Sequence, residues 1–128
     1  MESGVRKIRV MCVDDDAATR SLYALIVGSE DDMECVAMLS SASALQSSVA
    51  EQQPDVVLLD LRMPGLDPLK ALQATSQAHP RTRIVVFSGM DDPELVDEAH
   101  SNGAAAFLSK DAPPEQVLET IRTLARAE

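Results

Sequence analysis

The chain has 128 residues, 21 acidic against 11 basic, and a formal net charge of −10; its apolar content of 45% supports one domain with its own core. The acidic balance argues against binding of nucleic acid or of an anionic membrane through the domain's overall field. No apolar run approaches the ~18 residues of a membrane span, and residues 1–10 lack the apolar stretch of a secretory leader. Two cysteines, Cys12 and Cys35, fit a reduced, cytoplasmic protein with both thiols buried.

Short apolar runs alternate with helical patterns along the whole chain. Ile8 to Val13 is a compact apolar run that breaks off at Asp14-Asp15-Asp16, and reads as a buried strand. Leu22, Leu25 and Ile26 recur at helical spacing, which predicts a helix over 17–28 closed by Gly28-Ser29. Residues 35–39 form a weaker second strand. The acidic stretch Glu30, Asp31, Asp32, Glu34 between them reads as a solvated loop without an assigned role. Ala42, Leu45 and Val49 mark a second helix, stopped before Pro54.

Residues 55–60 form the clearest strand, with a continuous apolar centre that suits burial on both faces of a parallel sheet. A turn at Met63-Pro64-Gly65 follows, then a third helix begun by Leu69 and Leu72. Residues 84–87 are a fourth strand ending at Ser88-Gly89. A fourth helix carries Leu95, Val96 and Ala99 and stops at Asn102-Gly103. Residues 105–109 make a fifth strand ending at Lys110. Pro113-Pro114 then opens a fifth helix with Val117, Leu118, Ile121 and Leu124 on one face. Five such units predict an α/β fold around a parallel sheet with helices on both faces.

The chemistry lies in where the polar residues fall. Asp14 and Asp15 follow the first strand, Asp60 ends the third, Ser88 follows the fourth and Lys110 ends the fifth. Open parallel sheets bind ligands beyond the carboxyl ends of their strands, so these five side chains are expected to converge. Three carboxylates at close quarters raise each other's pKa unless a cation intervenes, and an all-oxygen set suits Mg²⁺ rather than Zn²⁺. A serine hydroxyl and a lysine ammonium on the same rim would bind phosphate oxygens. The combination points to phosphoryl transfer onto a carboxylate. His79 and His100 lie off the strand ends, and neither a Gly-rich phosphate loop nor a nucleophile elbow is present.

In this arrangement the chain resembles the receiver domain of two-component response regulators, CheY-like in fold. The matching stretches are Val13-Asp14-Asp15-Asp16 with Arg20, Leu58-Leu59-Asp60-Leu61-Arg62-Met63-Pro64-Gly65, Val86-Phe87-Ser88-Gly89, Gly103-Ala104 and Phe107-Leu108-Ser109-Lys110. They cover about residues 6–126 of a single domain, 1–128. The resemblance implies a flavodoxin-like (βα)5 sandwich with strand order 2-1-3-4-5. It implies Asp60 as phosphoacceptor, Asp15 as a direct Mg²⁺ ligand, Asp14 acting largely through water, and the backbone carbonyl of Arg62 as a further metal ligand. Ser88 would be the switch hydroxyl, Lys110 the partner of Asp60 or its phosphate, and Phe107 the switch aromatic. Arg62 and Met90 occupy positions that tune access of water to the phosphorylated site.

The implied phosphodonor is a sensor histidine kinase, and phosphorylation would reshape the surface of helix four, strand five and helix five. No turnover enzyme is expected; Arg62 stands where a dehalogenase-like phosphatase would have its acid/base aspartate. The acidic run after the first strand likewise argues against a flavodoxin-type phosphate loop. Residues 107–116 resemble the NarL/FixJ (LuxR-type) subfamily, whose receivers usually precede a helix-turn-helix domain. A receiver excised from a transcription regulator is therefore expected, with contact to DNA only through that absent domain. A free-standing receiver acting by protein–protein contact, a receiver homodimer and an unphosphorylated pseudo-receiver are the alternatives.

Two departures from the family pattern stand out: Pro68 stiffens the loop beside Asp60, and Ala106 precedes Phe107 where glycine is frequent.

Overall fold

The computed structural model describes residues 6–63, 67–89 and 93–126. Strands and helices alternate: β1 (Ile8–Val13), α1 (Ala17–Gly28), β2 (Met33–Leu39), a 3-10 turn (Ala42–Ala44) running into α2 (Leu45–Gln52), β3 (Val56–Leu59), α3 (Pro68–Ala78), β4 (Arg83–Ser88), α4 (Pro93–Ser101), β5 (Ala106–Ser109) and α5 (Pro114–Arg126). All neighbouring strands are parallel, in the order β2-β1-β3-β4-β5. This is the doubly wound sheet expected from the alternation of periods.

The sheet divides two cores. On one face Met11, Val57, Leu59 and Val86 pack under Leu45 and Val49 of α2, Leu72 of α3 and Ala99 of α4. On the other, Val10, Cys12, Leu58 and Phe87 pack under Tyr23 and Val27 of α1 and Val117, Leu118 and Ile121 of α5. Alternation along each strand sends successive side chains to opposite cores, so a strand such as β3 is buried along its whole length. Each fully buried aliphatic side chain there contributes roughly 1.5–3 kcal/mol relative to exposure. The rings of Tyr23 and Phe87 meet edge-to-face at 5.0 Å and tie α1 to β4.

Helix boundaries follow local chemistry. The Asp67 carboxylate accepts the Leu69 amide and Pro68 fills the first turn of α3. Gly103 has φ 107°, and a Cβ there would collide with the Ser76 side chain of α3, so the stop after α4 requires glycine for both backbone and space. Gln53 caps α2 in the left-handed region at φ 49° without that freedom.

Several expectations need correction. α1 spans the predicted residues, but Leu22 and Leu25 face solvent; the buried face is Tyr23 and Val27, with Ile26 half-buried. Two apolar stripes compete on that helix, and spacing alone cannot rank them. β2 begins at Met33 rather than Cys35, and the Ala42–Ala44 segment is a 3-10 turn instead of the start of α2. Cys12 is buried as expected, whereas Cys35, on the edge strand, is only half-buried. Val117 and Ile121 belong to the core, while Leu95 and Val96 are half-buried on α4. Pro64 and Gly65 of the predicted turn, and Met90, fall outside the described residues.

Candidate functional site

Parallel pairing continues one residue past the strand ends and fixes the rim. Val13 is in register with Leu59, and the Asp60 amide bonds to the Val13 carbonyl at 3.0 Å, placing Asp60 beside Asp14. Ser88 is in register with Ser109, and the Lys110 amide bonds to the Ser88 carbonyl at 2.9 Å. Asp14, Asp15, Asp60 and Lys110 thereby meet in an open depression of about 310 Å³, which Asp16, Arg62 and Gly89 also line.

Lys110 spans the carboxylates. Its Nζ donates to Asp14 Oδ2 at 2.6 Å and to Asp60 Oδ2 at 3.2 Å. Asp14 and Asp60 are 1% and 4% exposed, so two anions sit at the edge of the core around one ammonium. The remaining oxygens are held by backbone: the Asp16 amide donates to Asp14 Oδ1 at 2.9 Å, and the Arg62 amide to Asp60 Oδ1 at 3.0 Å. Arg20, part of the quoted motif, donates to the Asp14 carbonyl at 2.7 Å and so braces the β1–α1 turn. Lys110 was expected on Asp60; its shorter contact is to Asp14, a partner that strand order alone does not single out.

Burial pushes the Asp60 carboxyl above the usual carboxylate range; the Arg62 amide and Lys110 oppose the rise and Asp14 adds to it. Burial acts to lower Lys110, but the Asp14 hydrogen bond and the charges of Asp60 and Asp14 outweigh it, and the ammonium is held above its ordinary value. Burial first, and then the Asp14 charge, push the Cys12 thiol up to about 12, so it is no nucleophile.

One carboxylate oxygen each from Asp14, Asp15 and Asp60 lies within 4.8 Å of the others. Ligand oxygens around an octahedral Mg²⁺, at ~2.1 Å from the ion, are roughly 3–4 Å apart. Only oxygen donors are present in this group, and two of the three are buried against the sheet edge while Asp15 faces the opening. The donor set fits a hard divalent cation.

The other expected residues are placed as follows. Ser88 ends β4 fully buried. Phe107, on β5, is half-buried against the core cluster that contains Val86 and Ala104, neither out in solvent nor fully enclosed. Arg62 is exposed beside the depression. His79 caps α3 and His100 bonds to the Ala104 carbonyl, both away from the rim. A larger cleft of about 460 Å³ opens at the opposite sheet edge between Arg6, Gln53, Asp55 and His79, without a cluster of reactive groups.

The acidic stretch that had no assigned role does have partners. Arg122 of α5 donates to both Asp32 oxygens at 2.8 and 3.0 Å and to Glu30 at 2.6 Å, and Glu34 pairs with Arg9 at 3.5 Å. Arg122 and its two acids are about ninety residues apart in the chain, and no motif links them.

A doubly wound sheet of order 2-1-3-4-5 with acids and a lysine past its carboxyl ends defines the flavodoxin-like class of α/β proteins. Within it, the chain belongs to the response regulator receiver domain family, whose profile matches residues 10–122. It is 34% identical over 122 residues to the oxygen regulatory protein NreC of Staphylococcus haemolyticus, covering 94% of this chain and 56% of that protein. The chain thus spans little more than half the length of the curated relatives it matches. The putative response regulator NarL of Mycobacterium tuberculosis has a receiver that superposes with TM-score 0.88 at 27% identity, covering 96% of this chain and 99% of that one. The response regulator domain of Thermotoga maritima CheB does so with TM-score 0.86 at 28% identity, over 96% and 99%. The chain is a receiver of the NarL/LuxR type, and its family is not one of turnover enzymes.

Proposed function

We propose that Asp60 is the phosphoacceptor and that the domain takes its phosphoryl group from a histidine kinase. The observation that carries this reading is the Lys110 ammonium bridging Asp14 and Asp60 beside a three-carboxylate oxygen cluster. An ionised Asp60 oxygen attacks phosphorus; the P–O bond forms as the P–N bond to the donor imidazole breaks, and the ring nitrogen leaves with the electron pair. Asp14, Asp15, Asp60 and the Arg62 carbonyl would hold Mg²⁺, which supplies positive charge toward the phosphoryl oxygens. Lys110 gives up its contact with Asp60 and follows the new phosphoryl oxygens, and Asp14 keeps the ammonium at the rim during the exchange.

The acyl phosphate adds charge and acceptor oxygens at the end of β3. The Ser88 hydroxyl is drawn toward it, and the vacated space lets the half-buried Phe107 move inward. Phe107 carries no hydroxyl, so its burial strands no polar group. The α4-β5-α5 surface changes accordingly, and in a longer protein of the NarL/LuxR type this would govern a helix-turn-helix domain and transcription. Arg62 shields the acyl phosphate from water. We place its action in the cytoplasm, where the family's histidine-kinase partners present their phosphoryl groups; no helix among the described residues is long and apolar enough to cross a membrane.

Incubation with acetyl phosphate and Mg²⁺ should give an acid-stable, base-labile label. Asp60→Asn should abolish it, and omission of Mg²⁺ should reduce it strongly. Label that persists in Asp60→Asn overturns the assignment.

A further inference from the structure

A further depression, of about 210 Å³, lies between α3 and the 3-10 turn that leads into α2, and shares no lining residue with the carboxylate rim. Lys70, Ala71, Ala74 and Thr75 form one wall, and their i, i+1, i+4, i+5 spacing puts them on one face of α3. Ala42, Ser43 and Gln46 form the other. Alanine at three of these positions keeps the space open, since a larger side chain there would fill it. Lys70 is the one charged residue among them, in a chain of net charge −10. It is exposed and makes no ion pair with a described residue.

Neutral donors stand on both walls. Gln46 is exposed, and its amide has no partner among the described residues. Ser41 accepts the Ser43 amide at 3.3 Å and lies 2.7 Å from the Ser43 hydroxyl; when Ser41 gives its own hydrogen to that contact, the Ser43 hydrogen is left over. Thr75 is the unexpected member. It is fully buried, and among the described residues its hydroxyl is the buried side-chain group with no hydrogen-bond partner. A helical threonine ordinarily satisfies that group on a carbonyl one turn back, and leaving it unpaired costs free energy. Rotation about one bond exchanges its hydroxyl with its methyl, so Thr75 can turn the hydroxyl toward the groove with little change in shape.

We propose that this groove binds a small phosphate-type oxyanion, either inorganic phosphate or a phosphate monoester, separately from the phosphoryl chemistry at Asp60. Lys70 supplies a point charge of the kind that suits phosphate. Ser43, Gln46 and Thr75 add donors from two elements. That spread of directions matches tetrahedral oxygens better than the flat edge of a carboxylate, which an arginine fork would bind. No acid stands among the lining residues to repel the anion. The bound oxyanion ties the 3-10 turn to the first turn of α3 and gives Thr75 the partner it lacks.

Amide resonances of isotope-labelled protein, titrated with inorganic phosphate in chelator at an ionic strength held constant with NaCl, test this. Methyl phosphate is the second arm. Ser43, Gln46, Ala74 and Thr75 should shift saturably, with a millimolar Kd. An ester that binds more tightly than the free ion marks a monoester site; otherwise the site is one for the free ion. Lys70→Gln removes the charge, and Ala74→Leu fills the space without removing a donor; each should weaken binding at least about tenfold. Both positions are exposed, so both variants should fold. Thr75→Val separates a binding role from a packing fault. With a methyl in place of the unpaired hydroxyl the free protein should melt higher, yet its affinity for phosphate should fall about threefold. The absence of saturable shifts with either anion overturns the proposal. So do shifts that NaCl alone reproduces, shifts confined to Asp60 and Lys110, or an affinity unchanged in the variants.

Discussion

The two edges of the sheet treat the same residue type in opposite ways. At the amino edge the paired acids are matched by guanidinium groups. Asp55 takes two bonds from Arg6, at 2.8 and 3.1 Å, and the Arg9 amide at 2.8 Å; Asp32 and Glu30 share Arg122. These groups are half-exposed, and their attraction fastens strand starts and α5 together. At the carboxyl edge Asp14 and Asp60 are buried, Asp15 adjoins them, and Lys110 is the cation in contact with the pair. One edge is arranged for cohesion. The other holds an excess of negative charge that a divalent cation would relieve, a local strain of the kind functional sites retain at some expense of stability.

The sharpest way to break this contrast is to remove Lys110. Lys110→Ala leaves two buried carboxylates facing each other and should destabilise the domain by about 2–3 kcal/mol in chelator. That is a fall in Tm on the order of 10 °C for a chain of this size. Mg²⁺ should restore more stability to this variant than it adds to the wild type, because the ion replaces the missing charge. The Lys110 contribution is fully present below the ordinary lysine value of 10.5 and fades as pH rises through the raised folded value. A Tm unchanged by Lys110→Ala would mean that the carboxylate crowding carries no energy.

The same crowding predicts an opposite sign for Asp60. The folded pKa of Asp60 lies above its ordinary value of 3.8, so the fold favours the protonated form. Its favourable contribution is present below that ordinary value and is lost as pH rises through the raised one. Asp60→Asn should therefore match the wild type in acid and exceed it near neutrality, with a higher Tm there. Melting curves of the two proteins across pH in chelator read this directly. A variant less stable than the wild type at neutral pH would show that Lys110 fully compensates Asp60.

The carboxyl edge was legible in the sequence because parallel pairing aligns strand ends. Once 8–13, 55–60, 84–87 and 105–109 read as strands, Asp14, Asp60, Ser88 and Lys110 had to share a rim. What the pattern could not give was which carboxylate the lysine favours, since that depends on a side-chain reach of ångströms: 2.6 Å to Asp14 against 3.2 Å to Asp60. Which face of α1 is buried was not legible for a different reason. Leu22 and Leu25 satisfy helical spacing as well as Tyr23 and Val27 do, and only the tertiary fold decides which stripe meets the sheet. The amino edge was illegible altogether, because its ion pairs join residues far apart in sequence and leave no local period.

Arg122 tests whether that amino edge is cohesive without being functional. Its guanidinium reaches Asp32 through two nitrogens and Glu30 through one of them, and the resulting bonds hold Asp32 below its ordinary value and Arg122 above its own. The Asp32 contribution is present above pH 3.8 and disappears as pH falls through the lowered folded value. Because all three side chains are part-exposed, the network is worth about 1 kcal/mol after solvent screening. Arg122→Ala should lower Tm by roughly 3–5 °C and speed amide exchange in the last turns of α5, with the loss shrinking in high salt. Arg122→Lys should recover only part, since an ammonium cannot reproduce the two-nitrogen fork on Asp32. Labelling of Asp60 should be unchanged in both. An Arg122→Ala protein with unaltered stability but impaired labelling would join the two edges into one functional unit, and the division between them would fall.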